Sequence, residues 1–478
     1  MKEAFLFTFG YLIFFYSIAL MASYVGMVIL AFQSLRRYLN TNRDTYGRKL
    51  LETSPHAPGV SIVAAAYNEE NVVIACVESF LRLDYPLFEV VIVNDGSTDK
   101  TLELMVEHFK LEEVPYAYNE QLRTKPFRRL FKSADPAYSR LTVVDKENGG
   151  TKADPINAGL NVVQYPYFIN TDVDCILSRD AIYHCIRPIL EQHDVIAVSG
   201  AMAMSNGCKI EQGDIVRRRV PHTPSPLFQA VEYLRSFMVG KMAWSRINAM
   251  PNVSGGYGLF DTRVAIAAGG YSPDSFAEDM DMLIRMIGYC CDFGKPYRVV
   301  QIPETCCWTQ GPPGIAVLYK QRVRWGRGLI QTMFNHFRML LRPKYRQLGL
   351  VTLPYVFVFE FLAPVIEVSG LAAFIYLACT GGVNWQAAGV IALCVVLFNY
   401  LVAVVVFYYD YLQGITYGKK RSYFWLTAAA LLEPLIYHPL IVLFSLKGYL
   451  NYLMGLRAKW GEMKRKKYRD KSGESGET

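Results

Sequence analysis

The stretch Val60–Asp99 decides the fold: it opens with VSIVAAAYNEE (Val60–Glu70) and closes with EVVIVNDGSTD (Glu89–Asp99). Each end is a short apolar run that breaks abruptly into polar and acidic residues. Val60–Ala66 reads as a buried strand and Glu89–Val93 as a second, because runs of this length lack the 3.6-residue period of a surface helix. Asn71–Leu83 between them reads as a helix, and Thr101–Phe109 as the helix that follows. Leu141–Val144 and Tyr167–Asn170 repeat the strand pattern, with Ala153–Val163 as a helix between them. This alternation predicts a doubly wound α/β sheet whose ligands sit at the carboxyl ends of its strands.

Those ends carry the chemistry. Tyr67-Asn68-Glu69-Glu70 follows the first strand where a dinucleotide fold would need GxGxxG, and its carboxylates suit a base or ribose better than a phosphate. After the second strand, Asn94-Asp95-Gly96-Ser97-Thr98-Asp99 offers capping residues in Ser97 and Asp99, while Asp95 at the strand tip is better placed for a ligand. Asp172-Val173-Asp174 ends another apolar strand. On an extended chain the two carboxylates would face opposite ways. In a turn leaving the strand they can converge on a hard cation, Mg2+ or Mn2+, with room left for a diphosphate. Gly149-Gly150-Thr151-Lys152 precedes a helix, a reasonable place for a cation near phosphate.

Two further motifs admit two readings each. Glu278-Asp279 opens a helical pattern through Ile287, where the helix dipole favours acidic residues in any case. Gln321-Arg322-Val323-Arg324-Trp325 precedes the apolar helix Gly328–Leu341. It reads either as a basic amphipathic helix at a membrane surface or as a site where Trp stacks on a sugar and Arg offsets charge on a departing diphosphate.

The ends of the chain are membrane-like. Of 478 residues 52% are hydrophobic and only 19% charged, with a mean hydropathy of +0.15, against about 25% charged in an average soluble protein. Phe5–Phe32 holds no charge and is too long for a signal-peptide core, so it reads as an anchor. Arg36, Arg37 and Arg43 follow it and only Lys2 precedes it, which puts the N-terminus outside and the next segment in the cytosol. Val351–Thr380 and Trp385–Tyr409 are long enough to span. Arg421–Gly455 is broken by Glu433-Pro434 and His438-Pro439, so it reads as one kinked span or a hairpin, and the charges at Lys419–Arg421 and Lys464–Lys467 favour the re-entrant hairpin. Glu360, Glu367 and Glu433 either line a polymer path or pair with arginines near the interface. The ten cysteines form no CxxC pair and read as buried thiols, and the net charge of +8 suits anionic lipid better than nucleic acid. Tyr116–Ser139 reads as a solvated loop or a membrane-surface contact, Ser205–Ser225 is a second polar insertion, and Asp470–Thr478 reads as a disordered tail.

Taken in order, Tyr67-Asn68-Glu69, Asn94-Asp95-Gly96-Ser97, Lys152-Ala153-Asp154, Asp172-x-Asp174, Glu278-Asp279 and Gln321-x-x-Arg324-Trp325 resemble the motifs of family 2 glycosyltransferases of the processive polysaccharide-synthase type. The resemblance covers about Val60 to Leu341 and implies a GT-A-type, Rossmann-like domain joined to an α-helical transmembrane region. It implies the division 1–35 anchor, 55–345 cytosolic transferase domain with interfacial helices near 225–250 and 320–341, 350–456 transmembrane helices, and 457–478 basic tail. It further implies that Tyr67, Glu69 and Asp95 hold uridine and that Lys152 and Asp172 hold the diphosphate. Asp174, with Asp172, would bind the metal, and Asp279 beside Glu278 would be the general base. Gln321, Arg324 and Trp325 would form the acceptor terminus. Asn252–Gly256 falls where such synthases place a finger beside the acceptor, without the aromatic-Cys start of cellulose synthases.

The expectation is an inverting, metal-dependent transfer from a UDP-linked sugar to a polysaccharide, with export, by a multi-pass protein of the cell membrane. The partners are then a nucleotide-sugar, a polysaccharide or lipid acceptor and membrane lipid, with no nucleic acid. A single-addition transferase acting on a membrane lipid and a non-catalytic nucleotide-binding channel are the alternatives. The sugar itself is not legible in these motifs.

Overall fold

The computed structural model describes residues 2–41, 51, 54, 56–116, 120–211 and 213–456. In chain order, helix α1 (Lys2–Thr41) precedes β1 (Val60–Ala66), α2 (Val73–Leu81), β2 (Phe88–Asp95), α3 (Thr101–His108), β3 (Leu111–Glu113), β4 (Phe127–Ser133) and β5 (Leu141–Lys146). Next come α4 (Ala153–Leu160), β6 (Tyr167–Asp172), β7 (Ile176–Leu177), α5 (Ala181–Glu191), β8 (Val195–Met204), β9 (Lys209–Glu211) and β10 (Asp214–Arg217). Helices α6 (Pro224–Arg235) and α7 (Met242–Arg246) lead to β11 (Tyr257–Asp261), α8 (Thr262–Ala267), α9 (Glu278–Asp292) and β12 (Arg298–Thr309). The chain closes with α10 (Ile315–His336), α11 (Leu353–Val356), α12 (Ala363–Cys379), α13 (Trp385–Gln413) and α14 (Lys420–Leu453).

Two compact units result. One is built from Leu39–His222 and Met250–Gly311, the other from Met1–Tyr38, Thr223–Ala249 and Pro312–Leu456. The first contains a ten-stranded sheet in the order β3-β4-β5-β2-β1-β6-β11-β8-β12-β7. Its centre, β5-β2-β1-β6, is parallel. The flanks mix directions: β4 runs antiparallel to β5, and β11 runs antiparallel to both β6 and β8. The expected doubly wound pattern therefore holds at the centre, within a mixed sheet. β1, β2 and β5 are buried along their whole length apart from one half-buried position, which is why they are continuous apolar runs. The connection at Tyr116–Ser139 is more ordered than a solvated loop, since it holds β4. The polar insertion at Ser205–Ser225 contains the small β9–β10 hairpin.

The second unit gathers the long helices. Four segments, Gly10–Leu39, Leu348–Cys379, Trp385–Leu412 and Lys420–Leu453, are long and apolar enough to cross a membrane. The helices near 225–250 and 320–341 belong to this same unit. The re-entrant hairpin expected at 421–455 is not found: α14 is one continuous helix with Pro434 and Pro439 inside it. Proline in a packed apolar helix is tolerated because neighbouring helices and side chains meet the polar groups it frees. The charge argument for a hairpin also leaned on Lys464–Lys467, which lie outside the described residues, as does the tail Asp470–Thr478.

Helices α10 and α14 cross at glycine. A Cβ on Gly326 would lie 2.6 Å from the Ser445 carbonyl oxygen, and one on Gly448 would lie 2.4 Å from the Val323 carbonyl oxygen. Small residues let two helix backbones approach this closely. Two carboxylates of this helical unit, Glu433 and Glu367, are paired. Arg235 of α6 donates to Glu433 of α14 at 2.6 Å, and Glu367 meets His438 at 2.8 Å. Glu433 thus has the arginine partner that one reading of the sequence anticipated. Gly326→Val should lower stability by about 1–3 kcal/mol through overpacking, seen as a lower thermal midpoint in detergent. Gly240→Ala, with nothing within 4 Å of its Cβ, should leave the midpoint in place.

Candidate active site

The parallel register brings the acidic strand ends to one edge of the sheet. Ala65 of β1 is level with Asp172 of β6, Ala66 with Asn94 of β2, and Asp95 with Lys146 of β5. The loops leaving β1 and β2 are braced against each other. The Asn68 carboxamide accepts the Thr98 N–H at 2.8 Å, the Glu69 N–H donates to the Thr101 hydroxyl at 2.8 Å, and the Asn68 N–H donates to the Ser97 hydroxyl at 3.1 Å. Tyr67 is exposed and Glu69 half-buried beside this brace. Gly96 makes the turn possible: its φ is +65°, and a Cβ there would meet the Asn148 nitrogen at 2.8 Å.

Asp95 is buried, and its Oδ1 accepts from Lys146 Nζ at 2.9 Å and from the Gly149 N–H at 3.0 Å. Burial pushes the Asp95 carboxyl above its ordinary range, against the opposing pull of the Lys146 ammonium. Lys146 is fully buried and also pairs with Asp154 of α4. The sequence reading missed Lys146. Its signal was there, a lysine ending an apolar strand in register with Asp95, but only the pairing of β2 with β5 reveals it.

The carboxylates of Asp172 and Asp174 converge, as the turn reading anticipated. Their oxygens and the Cys175 sulfur all lie within 4.8 Å of one another. Two carboxylate oxygens suit a hard divalent cation such as Mg2+ or Mn2+. A hydrogen bond with Cys307 lowers the Cys175 thiol's pKa, but burial and the carboxylates of Asp174 and Asp172 carry it above its usual value.

Lys152, just before α4, reaches Asp172 Oδ1 at 2.5 Å and donates to the Gly255 carbonyl at 2.7 Å. Burial opposes its charge, yet Asp172 and Glu278 outweigh that and hold its pKa above the usual value. The Gly255 N–H, in the preceding peptide unit, donates to Asp279 Oδ2 at 3.1 Å, while Asp279 Oδ1 accepts the Met280 N–H at 2.8 Å. The backbone of one residue, Gly255, thus links Lys152 and its partner Asp172 to the half-buried Asp279 at the start of α9. The stretch Asn252–Gly256 supplies that link.

In the other unit, Gln321, Arg324 and Trp325 lie on α10. The Gln321 carbonyl oxygen accepts from the Gln229 carboxamide of α6 at 3.3 Å, and Trp325 is 36% exposed. Arg322, between the motif residues, is buried against Glu232 and Tyr437, a grouping the sequence did not disclose.

Residues 171–409 match the family described as glycosyl transferase family group 2, and 61–248 match glycosyl transferase family 2. The chain belongs to the family 2 glycosyltransferases and is a transferase enzyme. It is 26% identical over 330 residues to the poly-beta-1,6-N-acetyl-D-glucosamine synthase of Staphylococcus epidermidis, covering 69% of this chain and 67% of that protein. It is 25% identical over 286 residues to the Staphylococcus aureus (strain MSSA476) protein of the same name, covering 60% of this chain and 58% of that one. Among solved structures, a mannosyltransferase from Pyrobaculum calidifontis, in complex with GDP-Man and Mn2+, aligns with a TM-score of 0.55 at 18% identity, covering 92% of this chain and 99% of that one. That likeness shows the fold, a GT-A-type domain together with a helical membrane region.

Removing the cation that separates two buried carboxylates costs about 3–5 kcal/mol. Lys146→Met should therefore lower the denaturation midpoint sharply, and Lys146→Met with Asp154→Asn should recover part of it. Equal midpoints for wild type and Lys146→Met would show that the pair is not a determinant of stability.

Proposed function

We propose that this protein transfers a sugar from a UDP-linked donor to the growing end of a β-linked polysaccharide, with inversion at the anomeric carbon. The observation that carries this reading is the chain of contacts Asp172–Lys152–Gly255–Asp279, which joins a divalent-cation donor set to a carboxylate at a helix start. The names of the staphylococcal relatives support a polysaccharide product and N-acetylglucosamine as the first sugar to test.

Asp172 and Asp174 would hold Mg2+ or Mn2+, and an ion bound there supplies positive charge toward the leaving diphosphate. Tyr67, Glu69 and Asp95 take the uridine, and the Lys152 ammonium takes diphosphate oxygens. The acceptor hydroxyl oxygen forms its bond to the anomeric carbon as the bond from that carbon to the diphosphate oxygen breaks. The bonding pair leaves with the diphosphate, and the hydroxyl proton passes to Asp279, whose two backbone N–H partners fix the carboxylate's direction. Glu278 adds negative charge beside Lys152. Gln321 and Trp325 hold the acceptor end, and Arg324 offsets charge on the diphosphate. One displacement inverts the centre, so an α-linked donor yields a β-glycoside.

Four membrane-length helices support a multi-pass protein of the cell membrane, with the arginines after α1 favouring a cytosolic transferase domain and carriage of the product across the bilayer. Asp279→Asn should reduce transfer by at least about a thousandfold while UDP binding stays within about threefold. Equal loss of both would move Asp279 to the donor site. Chelation of divalent ions should stop UDP release and added Mn2+ should restore it. NMR of the product with UDP-N-acetylglucosamine should show β-linkages, and an α-linkage would refute the inverting mechanism.

A further inference from the structure

Three helices, not one, orient Trp325. Arg322 lies one turn before it on α10 and lays its guanidinium over the indole, 4.3 Å from the ring centroid. That side chain is only 5% exposed. Both carboxylate oxygens of Glu232 on α6 accept from it, at 2.7 and 2.5 Å. The Tyr437 hydroxyl on α14 accepts a third bond at 2.9 Å and donates to Glu232 Oε2 at 3.0 Å, closing a triangle. Phe228 of α6 stacks on the Tyr437 ring, with centroids 5.3 Å apart.

Elementary energetics explains what the triangle does. Burial alone would disfavour both charges, but each restores the other. The Arg322 guanidinium therefore holds the Glu232 carboxyl below its usual range, and Glu232 holds Arg322 above its own. A planar guanidinium held by a two-point carboxylate fork has little freedom to rotate. Stacked on an indole, it transfers that rigidity to the ring and covers one of its faces. A Trp so fixed, and 36% exposed, meets an apolar sugar face without first losing side-chain freedom.

We propose that Glu232 and Tyr437 are positioning residues that act through Arg322 to set the plane of Trp325 for stacking on the terminal acceptor sugar. This rests on the role given to Trp325 above. The rival is a plain helix clamp, since Arg235 and Glu433 already join α6 to α14 by charge.

The test uses the full chain in detergent, UDP-N-acetylglucosamine as donor, Mn2+, and a short β-1,6-linked N-acetylglucosamine oligomer as primer, with UDP release as the readout. Arg322→Lys keeps the charge opposite Glu232 but loses the planar stack, and Glu232→Gln loosens the fork. Each should raise the primer KM about fivefold, with donor KM and the rate at saturating primer within about twofold. In a Trp325→Ala background, Arg322→Lys should change primer KM by less than about twofold. Full additivity of the two substitutions would overturn the proposal. So would a rescue of primer KM in the exchanged pair Glu232→Arg with Arg322→Glu, because that exchange restores a clamp yet leaves no cation from α10 on the ring. If those variants fail to fold, Tyr437→Phe removes a single hydroxyl, and an unchanged primer KM there overturns the proposal. Wild type and Trp325→Ala are read first. No UDP release from any UDP-sugar, or an unchanged primer KM in Trp325→Ala, removes the underlying role of Trp325, and the positioning role falls with it.

Discussion

Carboxylates gathered at one edge of a parallel sheet repel each other, and the transferase unit is organised around offsetting that repulsion. Parallel pairing of β5, β2, β1 and β6 makes the gathering unavoidable, because every strand delivers its end to the same side. Lys146 separates Asp95 from Asp154 inside the protein, and Lys152 stands against Asp172 at the surface of the site. The two lysines differ in consequence. Lys146 is fully buried and belongs to the fold, since its loss leaves buried charge without a partner. Lys152 stands at the start of α4, bound to one carboxylate that a cation and diphosphate would also engage, so its bonds can be exchanged when a donor arrives.

The helical unit meets a related constraint with different means. Its four membrane-length segments are strongly apolar, so their attraction to neighbouring helices comes from close packing and from polar contacts rather than from exclusion of water. Gly326 and Gly448 supply the first by letting α10 and α14 touch backbone to backbone. Glu232, Arg235, Arg322, Glu433 and Tyr437 supply the second, drawing α6, α10 and α14 into one polar cluster. Neither device is costly once formed, but each fails if one partner is removed, because what remains is a void or an unpaired charge.

What was legible in the sequence follows from how locally each feature is encoded. β1 was read to its residue limits, and β2, β5 and β6 in their cores, because strands buried on both faces are uninterrupted apolar runs. β4 was read as part of a connection, since Arg128, Arg129 and Lys132 dominate Phe127–Ser133 and only Leu130 and Phe131 are buried. The positions of Asp95 and Asp172 were legible because each ends a readable strand, and that of Asp279 because it opens a readable helix. Lys146 was not, because its role depends on register with β2. Arg322 was passed over within its own motif for a similar reason: its partners lie 90 and 115 residues away, on helices whose packing no local pattern describes. The two prolines of α14 misled in the opposite direction, since their local rule is a break and the surrounding helices override it.

The Gly255 peptide shows how far a site can depend on a group without a side chain. The Gly255 carbonyl is held by Lys152 and the Gly255 N–H holds Asp279, so a shift of this one residue's backbone is felt by both bonds. The two groups belong to adjacent planar peptide units hinged at the Gly255 Cα, so a displacement of the carbonyl reaches the N–H through that residue's two backbone dihedrals. In the proposed mechanism a diphosphate that draws Lys152 away frees the Gly255 carbonyl, and the backbone of that residue can then readjust its N–H on the Asp279 carboxylate. A carboxylate released from one N–H partner has an oxygen to offer an acceptor hydroxyl. In the proposed mechanism, donor occupancy and readiness of the base are then joined through the backbone of one glycine, whose missing side chain leaves both its peptide units free to turn.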